Sequence, residues 1–513
     1  MIRRDSYTTS IWQANVDPYV STSSPGKNEL YDVIVIGGGI TGITTGLLLQ
    51  EAGKKCLLLE AENICFGTTG GTTAHINTLL DTPYSAIQKN FNKSIAKQVA
   101  DAARDAVNLI KNNIDKYKID CDFNNAAAYL FAKNDNEAKE LQTIYEACEQ
   151  VELNVSYVDE MPIRVAFAQA IRVEGQAKFN PLKYVYALAA AFEKAGGCIM
   201  QHCRVTSLKP DSPLEVETSC GIFHGGSVIY ATHIPPGVNL LHLRCTPYRT
   251  YAMAVKLEDD TYPEDLTYDM ENPYHYYRTQ EINGEKYLIA GGKDHKTGQE
   301  ENTEYRFTML EATLRENFKV KDIPYKWSSQ YFEPTDGLPY IGHLPGHPEN
   351  IFVATGLGGN GMTYSHVAAI TLKSILTNDH HPDIELFNPN RVKPVAGFAN
   401  FLSHNIDAVK NFVGRLFPGE KLHELAGLAP GEGEVVNYDH EKIALYKDED
   451  GMLHAVSPVC KHLKCEVKWN SAERSWDCPC HGARYDYDGN VLTGPADHSL
   501  EVISLDTSAE NKS

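Results

Sequence analysis

The sequence predicts an α/β fold, in which a parallel sheet is combined with an antiparallel sheet, followed by a separate C-terminal domain. Three observations predict it. The continuous apolar run Tyr31-Asp32-Val33-Ile34-Val35-Ile36 leads straight into Gly37-Gly38-Gly39-Ile40-Thr41-Gly42 and the helical run Ile43–Ala52, the pattern of a strand buried on both faces of a parallel sheet. Between Arg249 and Gly292 the pattern changes to alternation around an Asn283-Gly284 turn, which indicates an antiparallel hairpin. Farther on, Cys460-Lys461-His462 and Cys478-Pro479-Cys480-His481 give the spacing C-x-H-x15-C-x2-H, two thiols and two imidazoles from two loops.

The chain has 513 residues, 42% hydrophobic and 22% charged, enough for two or three domains with sizeable cores. A net charge of −20 argues against nucleic acid or an anionic membrane surface as partner, since both would be repelled. No stretch approaches the roughly 20 continuous apolar residues of a transmembrane helix. The first 30 residues carry Arg3 and Arg4 and then turn polar, so they are expected to be a leader without a secretory signal, and the expected location is cytoplasmic. Of the twelve cysteines, eight (Cys56, Cys65, Cys121, Cys148, Cys198, Cys203, Cys220, Cys245) have no disulfide-like or metal-like spacing, which suits buried thiols in a reducing compartment.

The strand, glycine turn and helix are followed by a second apolar strand, Cys56–Leu59, ending in Glu60, which completes a Rossmann-like βαβ unit. In such a unit Gly37 allows the tight turn, Gly39 lets a pyrophosphate approach backbone N–H groups and Gly42 permits close helix–strand packing. Glu60 is placed to accept from ribose hydroxyls, which disfavours a 2′-phosphate and leaves FAD or NAD. FAD is preferred because Gly67–His75 is a small, hydroxyl-rich loop able to admit a flat ring, with Thr68, Thr69, Thr72 and Thr73 as expected contacts. Apolar periodicity predicts helices over 94–118 and 136–151, and Asn180-Pro181 predicts an N-cap and first helical residue for a helix ending at Gly196-Gly197. Strands are expected over 199–208 and 227–233. Within the antiparallel stretch, Tyr274, Tyr276 and Arg278 recur every second residue, so a strand presents them on one face, where they are candidates to hold a substrate carboxylate. An exposed sheet face is the alternative there; Lys293, Asp294 and His295 are weaker candidates at a strand end.

Four motifs in order, the glycine turn, the Gly67–His75 loop, the helix–Gly-Gly–strand stretch around Val205, and the pair Thr335–Gly342 with Ile351–Met362, resemble the D-amino-acid-oxidase-like flavoproteins across about 31–376. The resemblance implies an FAD-binding domain (about 31–90, 178–240 and 330–376), with an antiparallel substrate domain inserted (about 91–177 and 241–329). It further implies non-covalent FAD, because His75 lies beyond the position of the attaching histidine, with Val205 facing the adenine. Gly356, Gly358, Gly359, Asn360, Gly361 and Met362 would bring a helix N-terminus to the ring. Residues 377–424 are expected to be a linker in which Leu402, Ile406, Val409, Val413 and Leu416 form a docking-helix stripe.

The last portion, 425–513, resembles a cytochrome bc-type Rieske domain, an all-β [2Fe–2S] carrier, down to Gly494-Pro495. In such a centre two cysteines hold one iron and two histidines the other, here Cys460, Cys478, His462 and His481. Zinc also takes Cys and His at short spacings, although C-x-H paired with C-x2-H is uncommon for it. The resemblance implies a disulfide between Cys465 and Cys480. This chain has Ala483 where the family has a serine that donates to a bridging sulfide, which should lower the potential, while Tyr485 is retained. Together the two resemblances imply an FAD-dependent dehydrogenase of a C–N bond in an amine or amino acid, passing electrons to the intramolecular cluster and on to an external acceptor. An oxidase or reductase with a structural or regulatory cluster, and a non-enzymatic redox-sensing module, carry the same motifs.

Overall fold

A computed structural model describes residues 4–26, 29–391, 428–438 and 441–505. The eight-stranded first sheet runs Tyr340–His343, Ile351–Thr355, Gly221–Tyr230, Leu30–Ile36, Cys56–Leu59 and Cys198–Met200, with the hairpin Val205–Lys209 and Leu214–Thr218 paired onto Gly221–Tyr230. The pairings from Ile351–Thr355 through to Cys198–Met200 are parallel. Continuous apolar strands form here because both faces are covered: Val33, Ile34, Val35, Leu57 and Leu58 are all buried. Helices Ile40–Glu51 and Gly361–Leu376 pack against each other on one side.

The second sheet has nine strands, ordered Val320–Pro334, Cys245–Leu257, Glu285–Lys296, Tyr276–Ile282, Leu266–Asp269, Asn124–Ala132, Gln169–Lys178 and His75–Ile76, with Val155–Val158 beside Gln169–Lys178. Asn283 and Gly284 both have positive φ, 53° and 79°, as the tight turn between Tyr276–Ile282 and Glu285–Lys296 requires. Helices Lys93–Tyr117 and Asp135–Gln150 lie within one residue of the periodicity, and Asn180 caps Pro181–Lys194 by accepting from the amides of Leu182 and Lys183.

Two local expectations need correction. The stretch expected as one strand over 199–208 is two, Cys198–Met200 and Val205–Lys209. His202, at φ 55°, breaks it, and the Cys203 amide turns back to the Glu60 carbonyl. The loop expected at Gly67–His75 contains a one-turn helix, Thr68–Gly71, and the short strand His75–Ile76.

The C-terminal portion is all β, with a three-stranded sheet (Gly433–Tyr438, Glu441–Lys447, Leu453–Val456) and a four-stranded one (Lys468–Asn470, Ser475–Asp477, Arg484–Asp486, Val491–Thr493). The expected docking stripe at Leu402–Leu416 lies outside the described residues. What seats this portion on the rest is a buried ionic network that includes the supposed leader. Arg4, Asp5, Arg249, Glu473, Asp477 and Arg484 are each at most 1% exposed, three cations against three anions. Arg484 donates to Asp477 Oδ1 (3.0 Å) and to the Asp5 carbonyl (2.5 Å). Glu473 accepts from the Ser328 amide (3.1 Å) and from the Ser6 hydroxyl, and lies 3.4 Å from Arg249. Arg4 reaches the Ser328 carbonyl. Burial alone would raise the Asp5 carboxyl, yet the guanidiniums of Arg4 and Arg484 hold it below its usual range. Next to it the helix Ile11–Asn15 buries Ile11 and Trp12 completely, and the Trp12 indole donates to the Thr72 carbonyl (2.6 Å).

Because a buried ion that loses its partner keeps its desolvation cost, Arg484→Met is expected to lose about 3–5 kcal/mol of stability. Urea unfolding followed by tryptophan fluorescence measures it; a loss of about 1 kcal/mol or less, the size of an exposed ion pair, would show that the network does not hold the domains.

Candidate functional site

One large cavity lies between the two sheets. Its floor is the glycine turn. A Cβ on Gly42 would sit 1.9 Å from the Gly37 carbonyl oxygen, so helix Ile40–Glu51 can pack this closely on its strand only through glycine. Gly37, at φ 111°, has the Ala231 carbonyl 2.5 Å from where its Cβ would be. Gly37 and Gly39 line the cavity; Gly42 does not, in keeping with a packing role. Glu60 lines it too, accepting from the amides of Gly38 (2.6 Å) and Glu62 (2.9 Å), and burial raises its carboxyl. Thr68, Thr69, Thr72, Thr73 and Val205 all face the cavity. Thr69 Oγ1 accepts from the Ile40 amide at the helix start (3.1 Å), and the Thr68 hydroxyl donates to the Gln330 carbonyl (2.9 Å).

Gly358, Gly359, Asn360, Gly361 and Met362 line the wall where helix Gly361–Leu376 begins. Gly356 does not; its φ of 67° and the Cys245 sulfur 3.2 Å from its absent Cβ give it a turn-forming role. The cradle therefore fits an extended dinucleotide: glycines where a backbone must come close, a carboxylate at one side, threonine hydroxyls and a helix N-terminus along its length.

The antiparallel sheet supplies the other wall. Tyr274 and Tyr276 line the cavity, with ring centroids 5.6 Å apart. Arg278 shares their face but is covered. Its guanidinium donates to the carbonyls of Thr73 (3.0 Å), Ala74 (2.7 Å) and Phe179 (3.3 Å), and Trp12 lies over it at 5.5 Å. Fully buried and absent from the cavity lining, it ties the sheet to the Thr72–Ala74 turn, and the expectation that it clamps a substrate carboxylate is corrected on that ground. Residues without a sequence motif stand in the cavity instead: Asp81, Gln330 and Tyr331, together with Asp294.

Cys460, His462, Cys478 and His481 converge at the edge of the C-terminal portion that faces the cavity domain, each at most 9% exposed. The two imidazole rings are 4.9 Å apart, and Nδ1 and Nε2 of both are buried with no hydrogen-bond partner among the described residues. Burial lowers both histidines to about 4, the neutral form that ligates metal. Buried imidazole nitrogens with nothing to bond are costly unless metal takes them, so this donor set fits a [2Fe–2S] centre with two sulfur and two nitrogen ligands. Cys465 and Cys480 are joined in a disulfide with Cα atoms 6.6 Å apart, as the Rieske resemblance implies. Their sulfurs lie close to Cys478 Sγ but, being bonded to each other, are not ligands. The Tyr485 hydroxyl accepts from the Lys461 amide (3.0 Å) and lies 3.3 Å from Cys460 Sγ, free to donate to it.

Cavity and cluster site share a wall. Gln330 lines the cavity, and its side-chain amide donates to the Gly482 carbonyl (2.9 Å), one residue past His481. The His242 ring stands 4.5 Å from the His462 ring and hydrogen-bonds the Pro235 carbonyl (2.8 Å), beside the cavity residues Ile234 and Pro236. From the C-terminal side, Leu492, Thr493, Gly494, Ala496 and Asp497 complete the cavity lining.

Comparison with known proteins agrees with this geometry. Residues 32–373 match the family described as FAD dependent oxidoreductase, and residues 421–504 match the Rieske [2Fe-2S] domain. A Bacillus subtilis (strain 168) protein named as a Rieske 2Fe-2S iron-sulfur protein, YhfW, is 34% identical over 93% of this chain and 94% of its own. Gamma-glutamylputrescine oxidoreductase of Escherichia coli (strain K12) is 25% identical over 73% of this chain and 90% of its own. Among solved structures, glycine oxidase from Geobacillus kaustophilus superposes with a TM-score of 0.60 at 19% identity, covering 71% of this chain and all of that one, a likeness of fold.

Since a hydrogen bond to a ligand sulfur stabilises the reduced, more negative cluster, Tyr485→Phe is expected to lower the potential of the iron-loaded protein without loss of iron. Redox titration followed by EPR measures it, and an unchanged or raised potential contradicts the assigned role.

Proposed function

The chain belongs to the FAD dependent oxidoreductase family and carries a Rieske [2Fe-2S] domain, and from that premise we propose that it dehydrogenates a C–N bond and sends the electrons through its own cluster to an external acceptor. The enzyme is of the amine or amino-acid oxidase type, and its cofactors are FAD and a [2Fe–2S] cluster. When bound, FAD supplies a two-electron acceptor and the cluster a one-electron acceptor beside it.

The observation that carries the proposal is the shared wall. Gln330 touches the cavity with its backbone and the residue after His481 with its side chain, so a single residue spans the two cofactor sites. Close packing leaves no room for slack there: a Cβ on Gly482 would lie 2.6 Å from Pro247, and one on Gly298 2.8 Å from Pro479, between the second pair of ligands. His242 gives a second connection, and burial, lowering it to about 4, keeps it uncharged beside the cluster ligands. Within the cavity the chain's own residues bind and orient: the glycine turn holds a dinucleotide by backbone amides, and Tyr274 and Tyr276 wall off the substrate side from water.

FAD is held without a covalent bond in this reading, since His75 lies beyond the position of the attaching histidine; its Nδ1 pairs with the Tyr268 hydroxyl (2.6 Å). The cytoplasm is the proposed location, supported by eight cysteines outside the C-terminal domain that form no disulfide, all but Cys220 buried; the one disulfide, Cys465–Cys480, lies beside the cluster ligands. Among the described residues no helix is long and apolar enough to cross a membrane. The net charge of −20 favours a basic protein or small molecule as the outside acceptor.

Anaerobic titration of the fully loaded protein with a substrate amine is expected to bleach the flavin band and also to generate the EPR signal of a reduced cluster. A cluster that remains oxidised beside a fully reduced flavin overturns the proposal.

A further inference from the structure

The substrate side of the cavity has the wrong charge for an amino acid. Among the described residues that line the cavity, Arg204 is the one guanidinium or ammonium, and it sits beside Val205, bonded to Glu62 (3.1 Å) and to the Val491 carbonyl (3.2 Å). On the antiparallel-sheet side two carboxylates, Asp81 and Asp294, line the cavity instead. Arg278, which shares the face of Tyr276, is buried behind the Thr73–Ala74 carbonyls. One oxygen of Asp294 accepts from the Tyr331 hydroxyl (2.9 Å); the other, Oδ1, is buried with no hydrogen-bond partner among the described residues. An ionised carboxylate oxygen left unpartnered beside an open cavity calls for a cationic donor.

We propose that this site takes a cationic amine that carries no carboxylate next to the reacting carbon, with Asp294 and Asp81 gripping the ammonium-bearing end. The inference rests on the dehydrogenase reading and names its substrate class. In the reaction, the α-carbon's hydrogen leaves with its electron pair to FAD, the nitrogen gives up a proton, and the resulting C=N bond is hydrolysed by water to a carbonyl compound and ammonia or a smaller amine. The phenols of Tyr274 and Tyr276 and the apolar Leu357 line the same cavity and offer contact area for the carbon skeleton. An amino acid would have to place its carboxylate beside Asp81 and Asp294, where among the described residues no lysine or arginine lines the cavity to receive it.

Titration supports the same reading. Desolvation within the cavity pushes Asp81 and Asp294 each up to about 6. Asp294 is faced by Thr250, Tyr331, Asp81 and His275, and Asp81 by Tyr274, Asn360 and the Gly359 amide. A carboxyl raised in this way is ionised above its pKa and neutral below it, so its attraction for an ammonium is present at pH 8 and fades as pH falls through about 6.

A matched pair of ligands that cannot be oxidised, because neither has an α C–H bond, tests the proposal by binding alone: tert-butylamine and 2-aminoisobutyrate, which differ by a methyl against a carboxylate. Calorimetry or the shift of the flavin absorption band of the loaded protein reads the affinities. We expect tert-butylamine to bind at least about tenfold more tightly at pH 8, Asp294→Asn and Asp81→Asn each to weaken it about tenfold, and the preference to shrink toward pH 5. Equal affinities, a preference for 2-aminoisobutyrate, or no binding of either overturns the proposal, and this comparison on the unaltered protein needs no variant to fold. The dehydrogenase reading fails separately, when neither isopropylamine nor alanine reduces the flavin.

Discussion

The structure turns on a handful of ions that water does not reach. Arg484 extends from the four-stranded sheet of the C-terminal domain, reaches Asp477 on its own sheet and the N-terminal Asp5, and is fully buried. Glu473, from the same domain, takes the Ser328 amide and lies beside Arg249 on the antiparallel sheet. Ions in such a place add little net stability over well-packed apolar groups, since desolvation consumes most of the Coulombic gain. What they impose is selectivity: any shift of the domain leaves a buried charge without its partner, so a displaced arrangement is penalised more heavily than a displaced apolar contact would be. Three positive and three negative side chains balance in charge in one docking geometry.

That geometry sets what the two sites can do together. Docked this way, the loop after His481 meets Gln330 and the Leu492–Asp497 segment closes part of the cavity, so the Rieske domain also builds part of the cavity wall. Arg278 fits the same logic. It carries no substrate; it fastens the antiparallel sheet to the Thr73–Ala74 backbone, the turn that carries Thr72 and Thr73 into the cavity. With that guanidinium outside the cavity, the carboxylates Asp81 and Asp294 line the side that Tyr274 and Tyr276 wall, which is the basis of the proposed cation recognition.

Features encoded by local spacing were legible in the sequence. Gly37, Gly39 and Gly42 announce a backbone that must come close to a ligand or to another backbone, and the 1.9 Å clearance at Gly42 is the steric fact behind the motif. The two Cys/His pairs announce two sulfur and two nitrogen donors, and the imidazoles of His462 and His481 stand buried with no hydrogen-bond partner among the described residues. Asn180-Pro181 announces a helix start through capping chemistry. Features set by tertiary contact were not legible. Alternation places Arg278 on the face of Tyr276, but says nothing of Trp12, some 266 positions earlier, lying over it. The first residues look like a solvated leader because Arg4, Asp5 and Ser6 are polar; their partners, Ser328, Arg484 and Glu473, are more than three hundred positions away. Asp81 stands in no motif at all, and its role follows from the bond its amide makes to Asn360 (2.8 Å) at the start of a distant helix.

On the proposed function both redox sites belong to one docked molecule, so the electron's path is fixed before substrate arrives. The most direct test is the rate of cluster reduction after the flavin is reduced in an anaerobic stopped-flow experiment, compared across a tenfold range of protein concentration and in buffers of raised viscosity. A fixed path predicts a first-order rate indifferent to both. A rate proportional to protein concentration, or one that falls as viscosity rises, would contradict it, the first by making the transfer intermolecular and the second by requiring the domain to move.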